Sequence, residues 1–132
     1  MYKIVIEIDP VPASRPRVGK FGVFYSATYT QFMNDMMWHK RSIKKLLLSE
    51  PLRADITFWK KISASQSKKM TDQMHNTYCV SNVDLDNLEK AIYDSLNGHL
   101  YLDDKQIVEH STRKKWTKDK AKIEITLQII NQ

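Results

Sequence analysis

Several features are scarce in this sequence, and each scarcity excludes a class of protein. A single cysteine, Cys79, excludes an internal disulfide framework and is typical of a protein kept in a reducing cytosol. No apolar run approaches the roughly 20 residues that a membrane helix needs, and the first ten residues alternate charged and apolar side chains, unlike a signal peptide. The four histidines are scattered, so no histidine-based triad or zinc site is indicated. We therefore expect a cytoplasmic protein without a membrane span.

Basic residues are abundant, and the acidic ones are unevenly placed. The chain carries 21 Lys and Arg against 15 Asp and Glu, a formal net charge of +6. Residues 82–104 hold six of the acids and one base, which gives this window a net charge of −5 and the rest of the chain +11. A basic protein with one acidic window indicates a polyanionic partner such as nucleic acid, with the acids kept for another purpose.

Alternating apolar residues predict strands along much of the chain. Residues 2–8, 53–60 and 121–130 show the period of two that is typical of strands with one buried face, and a further strand is expected before the last one. The glycines of GKFGVFYS, after the proline-rich residues 10–16, predict a tight hairpin.

Two amphipathic helices are predicted between these strands. The first opens at a capping box, Thr28-x-x-Gln31, and ends near Glu50, with an apolar stripe made of Phe32, Met36, Ile43, Leu46 and Leu47. The second begins at Asp86 or Asn87 and ends at the Asn97-Gly98 pair. Residues 61–82 show no clear period and are expected to form a long functional loop. The predicted fold is a single α/β (α+β) domain over residues 1–132, with a small mixed sheet and two main helices packed on it.

The acidic window contains the most distinctive chemistry. Asp84 and Asp86 are two residues apart, and Asp103-Asp104 follow the second helix after a short apolar turn. Converging carboxylates repel one another unless a cation neutralises them, and oxygen ligands without His or Cys favour Mg²⁺ or Mn²⁺. Spacing alone leaves an alternative open, in which Asp86-x-x-Glu89 is a capping pair and the other acids lie in solvated turns.

Lys90 lies one helical turn beyond Asp86, and Asp94 lies one turn beyond Lys90. These two residues are therefore either a surface ion pair, or a lysine that contacts a phosphate with Asp94 beside it.

The residues of this window resemble a known family. The string Asp84-Leu85-Asp86-Asn87-Leu88, then Lys90-Ala91, Asp94, Leu96-Asn97-Gly98, Asp103-Asp104 and Gln106-Ile107 is similar to that of the RusA-type Holliday-junction resolvases, small endodeoxyribonucleases frequent in prophages. The segment PASRPR, from Pro12 to Arg17, and Tyr25 also resemble the family's N-terminal part. One departure is Asn82-Val83, where many members have Lys-Pro.

The resemblance implies a homodimer that uses Mg²⁺, with Mn²⁺ able to substitute, to nick opposed strands of a four-way DNA junction. It implies that Asp84, Asp86 and Asp104 are the essential carboxylates and metal ligands, with Asp103 beside them and Lys90 as the important lysine. Asp94 matches a recurrent acid whose role is expected to be structural.

Several basic residues are candidates for contacts with the DNA backbone. They are Arg15, Arg17, Lys68, Lys69 and Lys114. Trp59 and Trp116 are expected in the core or in the dimer interface. Two other functions remain possible from the sequence: a non-catalytic DNA-binding phage regulatory module, and a metal nuclease without selectivity for junctions.

Overall fold

The computed structural model describes residues 1–131, which form six strands and three α-helices. The strands are β1 (Tyr2–Ile6), β2 (Arg17–Gly19), β3 (Gly22–Phe24), β4 (Leu52–Lys61), β5 (Ile107–Thr117) and β6 (Lys122–Ile129). The helices are α1 (Ala27–His39), α2 (Lys68–Met74) and α3 (Leu85–Leu96), with short 3₁₀ turns at Lys40–Ser42 and Asp104–Gln106. No helix in this described part of the chain is long and apolar enough to cross a membrane.

The chain folds into two compact units that alternate along the sequence. The first contains residues 1–10 and 49–82 and the chain from Lys105 onward, and it holds the main sheet. The second contains residues 11–48 and 83–104, and it holds the hairpin β2–β3 with helices α1 and α3. The single domain over residues 1–132 stays a prediction.

The main sheet is mixed, as predicted. Its strand order is β1-β6-β4-β5; β6 runs antiparallel to both β1 and β4, whereas β4 and β5 are parallel. The predicted α+β class and its mixed sheet are therefore confirmed. The strands predicted at residues 2–8, 53–60 and 121–130 correspond to β1, β4 and β6, and the predicted hairpin corresponds to β2–β3.

Alternation along β4 and β6 explains why these residues form strands. In β4 the even-numbered residues Leu52, Ala54, Ile56 and Phe58 are fully buried, while the residues between them are exposed or half-buried. In β6 the buried residues are Ile123, Ile125 and Leu127. Each Å² of apolar surface buried on this side contributes about 25 cal/mol to stability. This stabilises the register, since a one-residue slip would expose the whole set of buried residues.

The start and end predicted for the first helix are wrong. The cap is Ser26, whose side chain accepts a hydrogen bond from the backbone N–H of Tyr29, and the helix ends at His39 and not near Glu50. The apolar residues that extended the predicted helix lie outside any helix, where the N–H groups of Leu46 and Leu47 donate to the carbonyl oxygen of His99 at 2.9 and 3.0 Å. This pairing with a distant segment overrides the local helical period.

Residues 61–82 contain a helix that the sequence did not predict. Ser67 caps α2 by accepting a hydrogen bond from the N–H of Met70, and none of the seven helical residues is buried. A helix without a buried face leaves no apolar period in the sequence, which is why this segment was expected to be a loop.

The third helix agrees with its prediction to within two residues at its start. It begins at Leu85, with Asp84 at the N-cap, and ends at Leu96. The predicted Asn97-Gly98 stop is confirmed, because Gly98 takes the left-handed φ of 73° that favours glycine.

The polar face of the sheet carries an ion pair between neighbouring strands. The guanidinium of Arg113 on β5 donates to both carboxylate oxygens of Asp55 on β4, at 2.8 and 3.1 Å. The same guanidinium donates to the hydroxyls of Thr57 and Ser111, each at 2.9 Å. These hydrogen bonds from Arg113 lower the pKa of Asp55 below its ordinary value of 3.8.

We predict that Asp55→Asn destabilises the protein near neutral pH but not in acid. A lowered folded-state pKa contributes stability above the ordinary value of 3.8, and this contribution is lost as the pH falls through the folded-state value. Because the Asp55 side chain is 51% exposed, the loss is limited to about 0.5–1 kcal/mol. Thermal unfolding at pH 7 should show a Tm lower by about 2–5 °C, and the difference should shrink steadily below pH 4. Asp72→Asn, at an exposed acid of α2, is the control; an equal effect of both variants would contradict the prediction.

Candidate active site

Helix α3 presents the candidate catalytic residues because its other face is buried. The buried residues are Leu88, Ala91, Ile92, Ser95 and Leu96, an apolar stripe with a period of 3.6. The residues Asp86, Asn87 and Lys90 lie outside this stripe and are exposed, and Asp94 is partly exposed. The pattern that buries the helix therefore also fixes the direction in which these polar groups point.

Asp84 and Asp86 stand at the start of α3 with accessible carboxylates. Asp84 occupies the N-cap position, yet its side chain makes no capping hydrogen bond. The Asp86 Oδ1 atom accepts a hydrogen bond of 3.0 Å from the backbone N–H of Asn87, its immediate neighbour. The N-cap is therefore Asp84, and Asp86 lies in the first turn and not at the N-cap position that the Asp86-x-x-Glu89 pair requires.

A tight reversal follows α3 and returns the chain toward it. The N–H of Gly98 donates to the carbonyl oxygen of Tyr101 at 2.8 Å, and the buried Tyr101 hydroxyl donates to the carbonyl oxygen of Tyr93, also at 2.8 Å. Burial, with the negative charge of Asp104 next in importance, raises the pKa of Tyr101, so its phenol stays a donor. This reversal brings Asp104 into contact with Asp94 of α3 and with its own neighbour Asp103.

Asp104 lies in a cluster of acids. Desolvation raises the pKa of Asp104 above the ordinary 3.8, and its hydrogen bonds and like-charge contacts with Asp103 and Asp94 raise it further. A hydrogen bond between two carboxyl groups requires a proton on one of them, so the contacts and the raised pKa have the same origin.

Lys90 is paired with Asp94 one turn further along α3. Its Nζ atom lies 3.3 Å from Asp94 Oδ2, and the lysine side chain remains 64% exposed. The hydrogen bond to Asp94, supported by the charge of that residue, raises the pKa of Lys90. Lys90 is therefore an ammonium ion at neutral pH, able to donate hydrogen bonds but unable to accept a proton.

The predicted metal ligands are only partly gathered. The acids that raise the pKa of Asp104 are Asp94 and Asp103, while Asp84 and Asp86 lie at the start of α3. Within residues 1–131 no group of three or more His, Cys, Asp or Glu side chains is arranged to hold a metal ion. The donor chemistry nevertheless suits a hard divalent cation, because such ions prefer carboxylate oxygens and a neutralising charge favours the ionised form of Asp104.

The PASRPR segment is held against the starts of α1 and α3. The N–H of Ala13 donates to the carbonyl oxygen of Asn87 at 2.9 Å, and the Ser14 hydroxyl accepts a hydrogen bond of 3.1 Å from the N–H of Ser26. A cleft of about 440 Å³ lies along this segment, lined by residues 13–16 and by Tyr25, Tyr29, Asn87, Lys90 and Asp94. The cleft was not predicted, although Arg15, Tyr25, Lys90 and Asp94 among its lining residues had been singled out in the sequence.

The other basic candidates occupy varied positions. Arg17 is exposed on β2, and Lys68 and Lys69 are exposed in the first turn of α2. Lys114 is half-buried on β5, where its Nζ atom donates to the carbonyl oxygen of Ser81 at 3.2 Å. Lys114 therefore has a structural contact in addition to any contact with DNA.

Trp59 and Trp116 lie on β4 and β5, and neither is fully buried. Trp59 Nε1 donates to Glu124 Oε1 at 2.6 Å, and the ammonium groups of Lys115 and Lys122 each lie 5.7 Å from the Trp59 ring. Trp116 on β5 is half-buried, and its N–H donates to the carbonyl oxygen of Thr77 at 2.9 Å.

Comparison with family models explains this arrangement. The model described as "Endodeoxyribonuclease RusA" matches residues 7–128, nearly the whole chain and all the acids described above. The chain belongs to the RusA family. A RusA protein is an endodeoxyribonuclease of the Holliday-junction resolvase type, a hydrolase that acts on phosphodiester bonds. No curated protein matches the sequence.

We predict that Asp84 contributes little to the stability of α3, despite its N-cap position. Asp84→Ala should change the free energy of unfolding by less than about 0.5 kcal/mol, because no capping hydrogen bond is lost. Ser26→Ala, which removes a cap that accepts from Tyr29, should cost about 1 kcal/mol. Urea unfolding of the two variants checks this comparison. An equal loss for both would show that Asp84 contributes to the stability of α3 as a cap.

Proposed function

We propose that this RusA-family protein is a Mg²⁺-dependent, homodimeric nuclease of the cytoplasm that resolves four-way DNA junctions by paired symmetric nicks. Its role is in DNA recombination and repair, and Mn²⁺ can replace Mg²⁺. The observation that carries the proposal is the acid cluster around Asp104 beside the ammonium of Lys90, on a helix that also presents Asp84 and Asp86.

Asp84, Asp86 and Asp104 are the residues that would hold the metal, with Asp103 beside them. Asp84 is free of a capping hydrogen bond, and Asp86 is exposed, so both carboxylates are accessible to a cation. When bound, the ion supplies an activated water and neutralises charge on the phosphate. The raised pKa of Asp104 supports a cation there, since a cation favours the ionised carboxylate.

Lys90 acts at the phosphate as a positive charge. Because its pKa is raised by Asp94, it keeps its proton and cannot be the base that activates water. It donates a hydrogen bond to a phosphate oxygen or to the leaving oxygen, where negative charge develops during cleavage. Asp94 orients the Lys90 side chain through the 3.3 Å contact.

Contacts with the DNA backbone come from Arg15, Arg17, Lys68, Lys69 and Lys114. Arg15, Arg17, Lys68 and Lys69 are exposed, and they belong to the basic part of the chain that carries the net charge of +11 outside residues 82–104. A homodimer places two active sites on one junction, which suits paired nicks in opposed strands.

We predict that Asp86→Asn keeps junction binding but loses cleavage. The amide retains the oxygen that accepts from the N–H of Asn87, so the start of α3 is preserved while a negatively charged metal ligand is lost. Cleavage of a labelled four-way junction in Mg²⁺ should fall about 100-fold or more, while anisotropy in EDTA should show unchanged binding. Binding of Mn²⁺ measured by electron paramagnetic resonance should also weaken.

The matched control for this variant is Glu89→Gln, on the same helix and outside the proposed ligand set. It should cut at the wild-type rate, and wild-type cleavage should disappear in EDTA. Linear duplex and flap substrates, run alongside, test selectivity for junctions. Undiminished cleavage by Asp86→Asn would refute the assignment, and equal cutting of all substrates would indicate a metal nuclease without junction selectivity.

We predict that Lys90→Ala lowers kcat by about 100-fold with little change in junction affinity, because one exposed cation adds little to binding but stabilises developing charge. Lys90→Arg should recover part of the rate, since it keeps the positive charge. Lys44→Ala, at an exposed lysine of the same unit, is the control. Single-turnover cleavage separates the chemical step from binding; a loss confined to affinity would show that Lys90 is only a backbone contact.

A further inference from the structure

The cleft beside Lys90 has the size and the lining of a ligand site. Its volume of about 440 Å³ lies within the range of roughly 300–1,000 Å³ that is typical of small-molecule pockets. One wall is the segment 13–16, and the opposite walls are formed by side chains of α1 and α3 and by Tyr25, just before α1. All of these residues belong to the second unit.

The walls of this cleft are fixed before any ligand arrives. Segment 13–16 is tied to α3 by the 2.9 Å hydrogen bond from Ala13 to Asn87, and to the start of α1 by the 3.1 Å bond between Ser26 and Ser14. Pro16 further restricts the backbone next to Arg15. A rigid cleft loses little conformational entropy on binding, which favours a specific ligand.

An aromatic surface is available in the cleft. Tyr29 is only 7% exposed and packs edge-on against Tyr25, with the ring centroids 5.6 Å apart. Tyr25 itself is 49% exposed, so one side of its ring is held by Tyr29 while the rest is open. A held, partly open aromatic ring is suited to stacking on a nucleic-acid base.

Charged groups in the cleft favour an anionic ligand. Arg15 and Lys90 contribute two positive charges, and Asp94 contributes one negative charge that is already paired with Lys90 at 3.3 Å. Arg15 therefore remains available for a phosphate. A nucleotide is a ligand that is planar and aromatic at one end and anionic at the other, and it is the ligand that DNA would offer to this cleft.

We propose that this cleft receives one unstacked nucleotide of the branched DNA, with Tyr25 stacked on its base and Arg15 bound to its phosphate. The inference rests on the proposed function, since it places the nucleotide beside the phosphate that Lys90 contacts. Tyr25 is then a specificity-determining residue, because its ring stacks only on a base that has left its neighbours in the DNA.

The energy of base stacking gives such a cleft selectivity toward branched DNA. In a continuous duplex each base is covered on both sides, and moving one into the cleft costs its stacking and pairing energy. At a branch point the neighbouring bases have already lost part of that stacking, so the cost is lower. The cleft therefore favours a junction over a duplex without reading any base sequence.

A thermodynamic cycle between the Tyr25 ring and the DNA base tests the proposal. Four-way junctions of fixed sequence carry one abasic nucleotide at each branch-point position in turn, and affinities are measured by anisotropy in EDTA, where no cleavage occurs. For the wild type, one abasic position should weaken binding about tenfold. Tyr25→Leu should weaken binding of the intact junction about tenfold, and the abasic nucleotide should then cost nothing more.

Two further variants keep the result interpretable. Tyr25→Phe retains the ring and should behave as the wild type, whereas Tyr78→Leu removes a tyrosine that is 70% exposed in the other unit and should leave the abasic effect unchanged. Affinity for a linear duplex should be the same for the wild type and Tyr25→Leu. The proposal is overturned if the effects of the abasic nucleotide and of Tyr25→Leu add independently. It is also overturned if Tyr25→Leu weakens binding of the junction and of the linear duplex equally.

The same reagents separate this inference from the proposed function. Cleavage of the intact junction in Mg²⁺ without any coupling between Tyr25 and a base would overturn the cleft assignment alone. Coupling without cleavage by the wild-type protein in Mg²⁺ would support the cleft and refute the proposed nuclease activity.

Discussion

The burial of one face of α3 is the constraint on which the candidate site depends. Five of its residues are buried, and they leave the helix only one orientation in which Asp86, Lys90 and Asp94 are accessible. The same helix supplies the carbonyl oxygen of Asn87 that holds the PASRPR segment, and the reversal after it returns Asp103 and Asp104. Acids, lysine and cleft are therefore positioned by a single packed element, which is how a scaffold keeps catalytic groups in register.

The charge of Asp94 affects the protonation of two neighbouring groups, Lys90 and Asp104. Asp94 is held close to Lys90 and to Asp104 together, so it raises the pKa of both residues. For the lysine this stabilises the positive charge, whereas for Asp104 it disfavours the ionised form, which a neutralising cation would favour. The Asp94 carboxylate therefore favours the charged form of Lys90 and the neutral form of Asp104.

The sequence predicted those helices and strands whose buried residues recur at regular intervals. The alternation in β4 and β6 and the stripe of α3 gave their positions to within a few residues, and the Asn97-Gly98 stop was right. The first helix was predicted too long because Leu46 and Leu47 are satisfied by backbone pairing with His99, more than fifty residues away. A contact between residues so far apart in the sequence cannot be recognised from the local spacing of apolar residues.

The sequence named candidate site residues, which stay predictions, but it did not give their geometry. Motif spacing indicated Asp84, Asp86, Asp103 and Asp104, yet the acid that contacts Asp104 from the helix is Asp94. That contact follows the reversal after α3, which the buried Tyr101 hydroxyl closes by its hydrogen bond to the carbonyl oxygen of Tyr93. Similarly, the cleft required the main-chain bond between Ala13 and Asn87, which a sequence pattern does not encode.

The strand order has a consequence for how the protein is made. Strand β6 is the last strand in sequence among the described residues, yet it lies inside the sheet between β1 and β4. The pairing of Tyr2 with Leu127 joins nearly opposite ends of the chain, and β4 meets its parallel neighbour β5 only after α2 and α3 have been traversed. Pairings of such high contact order form slowly, in the range of milliseconds to seconds. A nascent chain therefore cannot complete its sheet until β6 has left the ribosome, and β1 and β4 must wait with unpaired edges until then.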